Sequence, residues 1–370
     1  GELGGWHETR LQRFELSDDE PSALYADGRL VASYPDPYVT GPKTHLLMLL
    51  HPGPHRVLAV GGTPEGSIEV MLQHPVDRLI LVEEDPSLPA LLREWYGDSM
   101  AGALDDPRVQ IEDTDPIRAL DAASTFDLIL LLDGSPTTLR RNRTRTREFF
   151  EACRDHLAPD GVLAVRVPVG DTYLGGAAGL LFETLAATVG DVFGVVEVVP
   201  GDEITLVAGG PEASIDLDHD VLAHRLATRG LEGSGMPAEL IPTLVDLDRS
   251  RAVRRHLESP APINTVDRPR AVMLAAGLHE ARQRPVLLRF ALAAASRPPW
   301  PLGALLVVSM IILLAGAFAR WAPVVPTAAT IGFTSMGWWL LLIAAWQASR
   351  GSVYSEVGAL TAVFMAGLAG

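Results

Sequence analysis

Between residues 56 and 167 the chain repeats one pattern: a short apolar run closed by glycine or an acid. Residues 56–60 end in Gly61-Gly62, residues 78–82 in Glu83-Glu84-Asp85, residues 109–111 near Asp113 and Asp115, and residues 127–132 in Asp133. A fifth run, 161–167, follows the turn residues Pro159-Asp160-Gly161. Unbroken apolar runs this short read as strands buried on both faces. Helical periodicity fills 87–96, 146–157 and 177–189 between them, and residues 195–199 with 204–207 read as an edge hairpin. The alternation predicts an α/β fold, a Rossmann-like, doubly wound, mostly parallel sheet, with ligands at the carboxyl ends of its strands. A different pattern precedes it. Residues 22–35 read as a hairpin around Asp27-Gly28, and 8–16 alternate as a preceding strand, so a small β unit opens the chain. Residues 218–281 read as short helices with loops, and 282–301 as a linker.

Beyond the linker the polar positions all but vanish. Residues 302–319 and 328–346 carry no charge, and 357–370 read as a third such run that stops with the chain. Each of the first two is long enough for a bilayer of roughly 30 Å, which favours membrane spans over a buried soluble hairpin. Trp300, Trp321 and Trp346 sit at their ends, where interfacial aromatics belong. Arg282, Arg284, Arg289 and Arg297 precede the first span, Arg320 lies between the spans and Arg350 follows the second. The positive-inside rule then places the soluble part in the cytoplasm, on a multi-pass protein of the inner (cytoplasmic) membrane. With no initiator Met and a third span cut short, the sequence is read as a piece of a larger membrane protein. The expected division is 1–52 for the β unit, 53–215 for the sheet domain, 216–298 for the helical extension and linker, and 299–370 for truncated transmembrane helices.

Charge sharpens this division. Thirty Lys and Arg against 46 Asp and Glu give a net charge of −16, beside a mean hydropathy of +0.19. From residue 286 on there are four arginines and one acid, Glu356, so the acidity belongs to the soluble part. An acidic soluble part speaks against nucleic acid as a partner. A single cysteine, Cys153, excludes a disulfide scaffold and a cysteine-based metal site, and no metal is expected.

The strand ends hold the candidate chemistry. Gly61, Gly62 and Gly66 follow the first strand of the sheet, where glycine lets a ligand approach the backbone; an ordinary tight turn is the other reading. Glu83 ends the next strand about 20 residues later, the position of an acid that holds ribose hydroxyls in dinucleotide and adenosyl-methionine enzymes alike. Asp115 stands where it would accept from an adenine amino group, or is a solvated loop acid. Asp133 faces the same cleft, as general base for an amine nucleophile or as a cap in the turn Asp133-Gly134-Ser135-Pro136.

Taken in order, these stretches resemble the spermidine-synthase-like (polyamine aminopropyltransferase) family, in its bacterial membrane-fused branch. Ser33-Tyr34-Pro35-Asp36-Pro37, His45 and His51-Pro52 resemble the end of its β unit. Residues 56–66 with His74-Pro75 resemble its glycine loop, Val82-Glu83-Glu84-Asp85-Pro86 its ribose motif, and Asp106-Pro107-Arg108-Val109 with Asp115 its adenine side. Asn142-Arg143, Thr146-Arg147-Glu148-Phe149-Phe150 and residues 157–163 form the longest match. Tyr173-Leu174, Asn264 with Asp267-Arg268-Pro269, and the tail from Gly332 through Tyr354-Ser355 to Leu368 follow. The resemblance implies a class I adenosyl-methionine-type domain that moves an aminopropyl group from decarboxylated S-adenosylmethionine to putrescine or another small amine. It also implies dimerisation through the β unit.

The departures fall on the chemistry. Thr63 and Glu65 replace glycines of the family loop, and Pro64 stands where active members carry an acid. Ser135 stands at the usual base position, and a serine is no base at neutral pH without activation, which leaves Asp133 as a displaced candidate. Thr44-His45 lacks the Glu of the family's Tyr-His-Glu. Arg145 replaces a tyrosine and, with Arg140, Arg141, Arg143 and Arg147, makes the segment over the cleft basic, which repels a polyamine. A solvated face, or contact with another subunit or an anionic membrane, also explains these arginines. Three readings stay open: a membrane-tethered aminopropyltransferase; a catalytically eroded scaffold in a larger membrane complex; and an S-adenosylmethionine-dependent methyltransferase.

Overall fold

The computed structural model describes residues 3–121, 125–258 and 260–281, together with Trp339 and Thr361. The three apolar runs beyond residue 301 therefore lie outside the described residues, save those two positions. Two units partition the chain, Gly1–Leu274 and Ala275–Gly370.

Four antiparallel strands, β1 (Leu3–Glu8), β2 (Arg13–Ser17), β3 (Ser22–Ala26) and β4 (Arg29–Tyr34), form a meander in that order. Asp27 (φ 51°) and Gly28 (φ 72°) turn the β3–β4 hairpin in left-handed backbone, as a tight two-residue loop requires. The strand expected over 8–16 is two strands. Thr9 Oγ1 accepts the N–H groups of Leu11 and Gln12, both at 3.1 Å, and this local bonding takes residues 9–12 out of the ladder.

The second sheet holds seven strands: β5 (Arg56–Val60), β6 (Arg78–Val82), β7 (Val109–Ile111), β8 (Phe126–Leu131), β9 (Leu157–Val167), β10 (Glu197–Val199) and β11 (Ile204–Gly209). Their order is β10-β11-β9-β8-β5-β6-β7. The five strands from β9 to β7 are parallel, and β11 and β10 add the antiparallel edge hairpin. The progression reverses between β5 and β8, so the crevice of a doubly wound sheet opens at their carboxyl ends.

The residues read as a turn before the fifth run lie inside β9. Phe126 pairs with Leu157 but Leu128 pairs with Val162, so Pro159-Asp160-Gly161 is accommodated as a bulge. A Cβ on Gly161 would lie 2.8 Å from the Phe126 carbonyl oxygen, which explains the glycine.

The helices are α1 (Thr40–Leu49), α2 (Ser67–Met71), α3 (Leu88–Tyr96), α4 (Asp98–Leu104), α5 (Pro116–Leu120), α6 (Leu139–Asn142), α7 (Arg147–His156), α8 (Gly176–Phe193), α9 (His219–Thr228), α10 (Ile241–Leu244), α11 (Leu247–Arg254) and α12 (Arg270–Ala281). Every residue of β8 is buried, as befits a central strand with a continuous apolar sequence. Val57, Ala59, Leu79, Leu81, Leu128 and Leu130 share one core with Met48, Ile68 and Leu92 of α1, α2 and α3. Leu58, Ile80 and Ile129 have the opposite strand parity and face the other layer. At the N-terminal edge Asp127 ties β8 to β5. Burial opposes its ionisation, but the backbone N–H and guanidinium of Arg56 and the N–H of His55 outweigh it and hold the carboxyl below its ordinary range. Among the described residues α8 is long and apolar enough to cross a membrane, yet half of it is buried and Leu181, Phe182 and Leu185 pack inside the domain.

Candidate functional site at the carboxyl ends of the strands

The chain leaves β5 through Gly61 (φ 79°), Gly62 (φ 93°) and, before α2, Gly66 (φ 81°), all left-handed. Gly61 is the tightest point. A Cβ there would come within 2.7 Å of the Asp133 nitrogen, so the β5 and β8 exits touch backbone to backbone. The Gly61 N–H donates to the Val82 carbonyl at 2.8 Å, and the Leu132 and Asp133 N–H groups both donate to the Val60 carbonyl. Three strand exits are thereby fixed around one point.

Glu83 follows β6 directly. Its Oε1 accepts the Thr63 N–H at 3.0 Å and a very short bond from the Thr63 hydroxyl. Burial pushes its carboxyl up to about 7, with the charges of Asp133 and Glu65 adding to the rise and the two Thr63 bonds opposing it. Oε2 accepts no hydrogen bond among the described residues and is the oxygen left for a ligand hydroxyl. Thr63, a departure from the glycine pattern, is thus the residue that orients the candidate ribose acid. Side-chain hydrogen bonding of this kind leaves no periodic trace in a sequence.

Asp133 is engaged on both oxygens. The Arg145 guanidinium lies 2.8 Å from Oδ1, and the Thr144 hydroxyl donates to Oδ2 at 2.8 Å. The Arg145 side chain has zero exposure, and its Nη2 also donates to the Asp133 carbonyl oxygen at 2.9 Å. The Oδ1 contact lacks hydrogen-bond alignment, so it acts chiefly through charge. An arginine does not lose its proton in a protein, so this carboxylate has a permanent counter-ion where a base for an incoming amine would need a free lone pair. Ser135 does not replace it: its hydroxyl is buried without a hydrogen-bond partner among the described residues.

Asp115 caps α5, accepting the Ile117 N–H at 3.0 Å through Oδ1, while Oδ2 pairs with Arg143 at 2.7 Å. The arginines of the covering segment are therefore not a bare cationic face. Arg141 pairs with Glu84 in a very short contact and donates to Gln12, and Arg140 donates to the Glu84 carbonyl at 2.8 Å. Arg147 pairs with Glu151 and Asp191. Four of the five arginines are paired with strand-end or helix acids and Arg140 with a backbone carbonyl, which weakens the expected repulsion of a polyamine. Glu65, which stands where the family loop has glycine, is drawn to Arg166 of β9 in a two-pronged contact at 2.8 and 3.0 Å.

Below this face, His45 and His74 form a buried chain. Arg229 donates to His74 Nδ1 at 2.7 Å, which obliges His74 Nε2 to donate to His45 Nδ1 at 2.9 Å and His45 Nε2 to donate toward Ser234. Burial pushes the His74 ring down to about 2, helped by the charge of Arg229, and the pair stays neutral. The absent family Glu beside His45 is matched by this fully partnered histidine. Among the described residues no group of three or more His, Cys, Asp or Glu is placed to hold a metal ion.

Residues 43–168 match the spermine/spermidine synthase domain. The polyamine aminopropyltransferase of Thermotoga neapolitana is 33% identical over 124 residues, covering 32% of this chain and 41% of the relative. That of Nitrosomonas europaea is 32% identical over 178 residues, covering 47% and 53%. The enzyme of Oceanobacillus iheyensis is 28% identical over 244 residues, covering 62% and 46%. The chain spans about half the length of these curated relatives. A spermidine synthase solved with the transition-state analogue AdoDATO superposes with a TM-score of 0.58 at 22% identity, over 69% of this chain and 88% of that one. The spermidine synthase of Thermotoga maritima gives 0.56 at 21%, over 69% and 87%. At these identities the structural likeness shows the fold.

Proposed function

We propose that this chain, which belongs to the spermidine-synthase-like family, binds decarboxylated S-adenosylmethionine at the ends of β5 and β6 and serves aminopropyl transfer to a di- or polyamine. The observation that carries the reading is Glu83. It stands beside the glycine turn at the point where strand order reverses, with one oxygen held by Thr63 and the other open toward a ribose hydroxyl. In this reading the donor's ribose lies at this end of the cleft. At the adenine end it meets Asp115, already paired with Arg143. In the reaction the amine nitrogen bonds to the carbon next to the sulfonium, the carbon–sulfur bond breaks, methylthioadenosine leaves, and the amine gives up a proton. Positioning supplies most of the rate, and a base takes the proton.

One observation favours a second reading, the eroded scaffold: Arg145 and Thr144 occupy both oxygens of Asp133, the acid nearest the base position. Mass-spectrometric assay with putrescine and decarboxylated donor separates the two. Spermidine and methylthioadenosine in equal amounts support transfer. Donor binding without product supports the scaffold. A preference for intact S-adenosylmethionine supports a methyltransferase instead. Tethering to the inner membrane, with the domain toward the cytoplasm, is supported by the charge-free runs at 302–319 and 328–346 and by the arginines that precede them.

A further inference from the structure

A cavity of about 520 Å³ lies beyond the exit of β9, between the loop that leads into α8 and helix α11 with the turn that follows it (Arg255–Glu258). None of its lining residues belongs to the cleft described above. Both walls are fastened to the edge hairpin. The Ser250 hydroxyl donates to the Val198 carbonyl and Arg254 pairs with Glu197 at 2.6 Å, which lays α11 against β10. The Asp171 N–H donates to the Gly201 carbonyl at 3.0 Å, which ties the loop to the β10–β11 turn. The space is thus preformed, and its volume falls in the range of roughly 300–1,000 Å³ that suits small molecules.

The charges of the lining select the ligand. The Asp171 side chain is 4% exposed, and both its oxygens lie on Arg249 Nη2, at 2.5 and 2.6 Å. This pair is neutral within itself and fixes the guanidinium, while Arg249 Nε and Nη1 donate to nothing among the described residues. Arg255 is exposed and has no ion pair among the described residues. His256 has its own acid, Glu183, at 3.5 Å. Two arginines against one aspartate leave the lining one positive charge in excess. Leu174, Ala252 and the buried Val253 add an apolar side. A guanidinium fork matches a carboxylate in a two-pronged contact. A dianion would bring a second negative charge beside Asp171 with nothing to balance it, and a diamine would meet the unspent charge of Arg255.

We propose that this cavity is a second ligand site, for a small organic carboxylate whose oxygens pair with Arg255 and the free edge of Arg249 and whose apolar body lies on Leu174, Ala252 and Val253. Asp171 positions Arg249 for that contact. The site stands independently of the adenosyl-binding reading.

The test is calorimetric titration of the full chain with benzoate as the probe, beside its neutral counterpart benzamide, inorganic phosphate and putrescine. Benzoate is expected to bind with a Kd of about 1 mM or tighter, and benzamide and phosphate about fivefold more weakly or worse. Putrescine should not displace it. Arg255→Gln removes an exposed side chain that has no ion pair to lose, and should weaken benzoate about fivefold or more. Ala252→Phe fills the cavity and should abolish the binding. Both variants leave Asp171 on Arg249. Equal binding of benzamide, or unchanged affinity in Arg255→Gln, overturns the carboxylate site. So does phosphate that binds as tightly as benzoate, putrescine that displaces it, or wild type that binds no benzoate up to about 10 mM.

Discussion

Glu83 and Asp133 leave the two strands that flank β5, yet the chain holds them in opposite ways. Glu83 is met by neutral donors from Thr63, keeps one oxygen open and titrates near neutrality. Asp133 is met by a buried guanidinium against Oδ1, acting through charge, and by a hydroxyl that donates to Oδ2. A strand-end acid is thus not a function by position alone. Neutral partners leave a carboxylate able to accept a ligand hydroxyl, whereas a fixed cation spends its charge inside the protein. The exit of β6 keeps an acceptor open to the cleft, and the exit of β8 is closed by an ion pair inside the protein.

Removing the clamp should have the largest effect. Arg145→Met strands the Asp133 carboxylate in a buried setting and is expected to cost about 3–5 kcal/mol in urea unfolding. The double variant Asp133→Asn/Arg145→Met should recover much of that loss, the positive coupling expected of neighbours in contact. Independent, additive costs would show that the pair is not a unit. Next, Gly61→Ala forces a side chain into left-handed backbone against the Asp133 nitrogen. It should cost about 1–3 kcal/mol by the same measurement and impair adenosyl binding, because it pushes the β5 and β8 exits apart.

The pH dependence sharpens the contrast. Glu83 titrates near 7 when folded, above the usual value of about 4.3 for the unfolded chain. The folded state then binds more protons than the unfolded state between about 4.5 and 7, and stability falls as pH rises through that window. Glu83→Gln should therefore raise the thermal midpoint at pH 8 relative to wild type, with the gain fading toward pH 4. Equal gains at both pH values would remove the raised carboxyl from the account. The smallest effect is expected of Thr63→Ala, which deletes one neutral hydrogen bond. It should cost about 1 kcal/mol and move the Glu83 carboxyl resonance, followed by NMR, to a still higher midpoint.

The sheet was legible where physics is local. Residues 56–60, 78–82 and 109–111 are strands at the expected bounds, because an unbroken apolar run between turn residues has few other uses. The hairpin at Asp27-Gly28 was legible for the same reason. Helix α1 was not, because eight of its ten residues are buried and a helix apolar on all sides carries no stripe. In the site, Gly61, Gly62, Gly66, Glu83, Asp115 and Asp133 were all found at strand or turn exits, since those positions follow from where strands end. Their partners were hidden. Arg166 meets Glu65 across 101 residues, and Asn264 meets Arg145 across 119. Such pairs arise from the topology of the folded sheet, which no local pattern records. The run of arginines looked like a surface feature because its acids lie on three separate strands.

The central claim is that Glu83 is the residue by which this cleft holds an adenosyl ligand. Calorimetric titration of the wild type and of Glu83→Gln with decarboxylated S-adenosylmethionine at pH 8 tests it most directly. The account predicts measurable binding by the wild type and a loss of about tenfold or more in the variant, since a hydrogen bond to a charged acceptor contributes about 1.5–3 kcal/mol. Equal affinity in the two proteins, or no binding by the wild type, would contradict it.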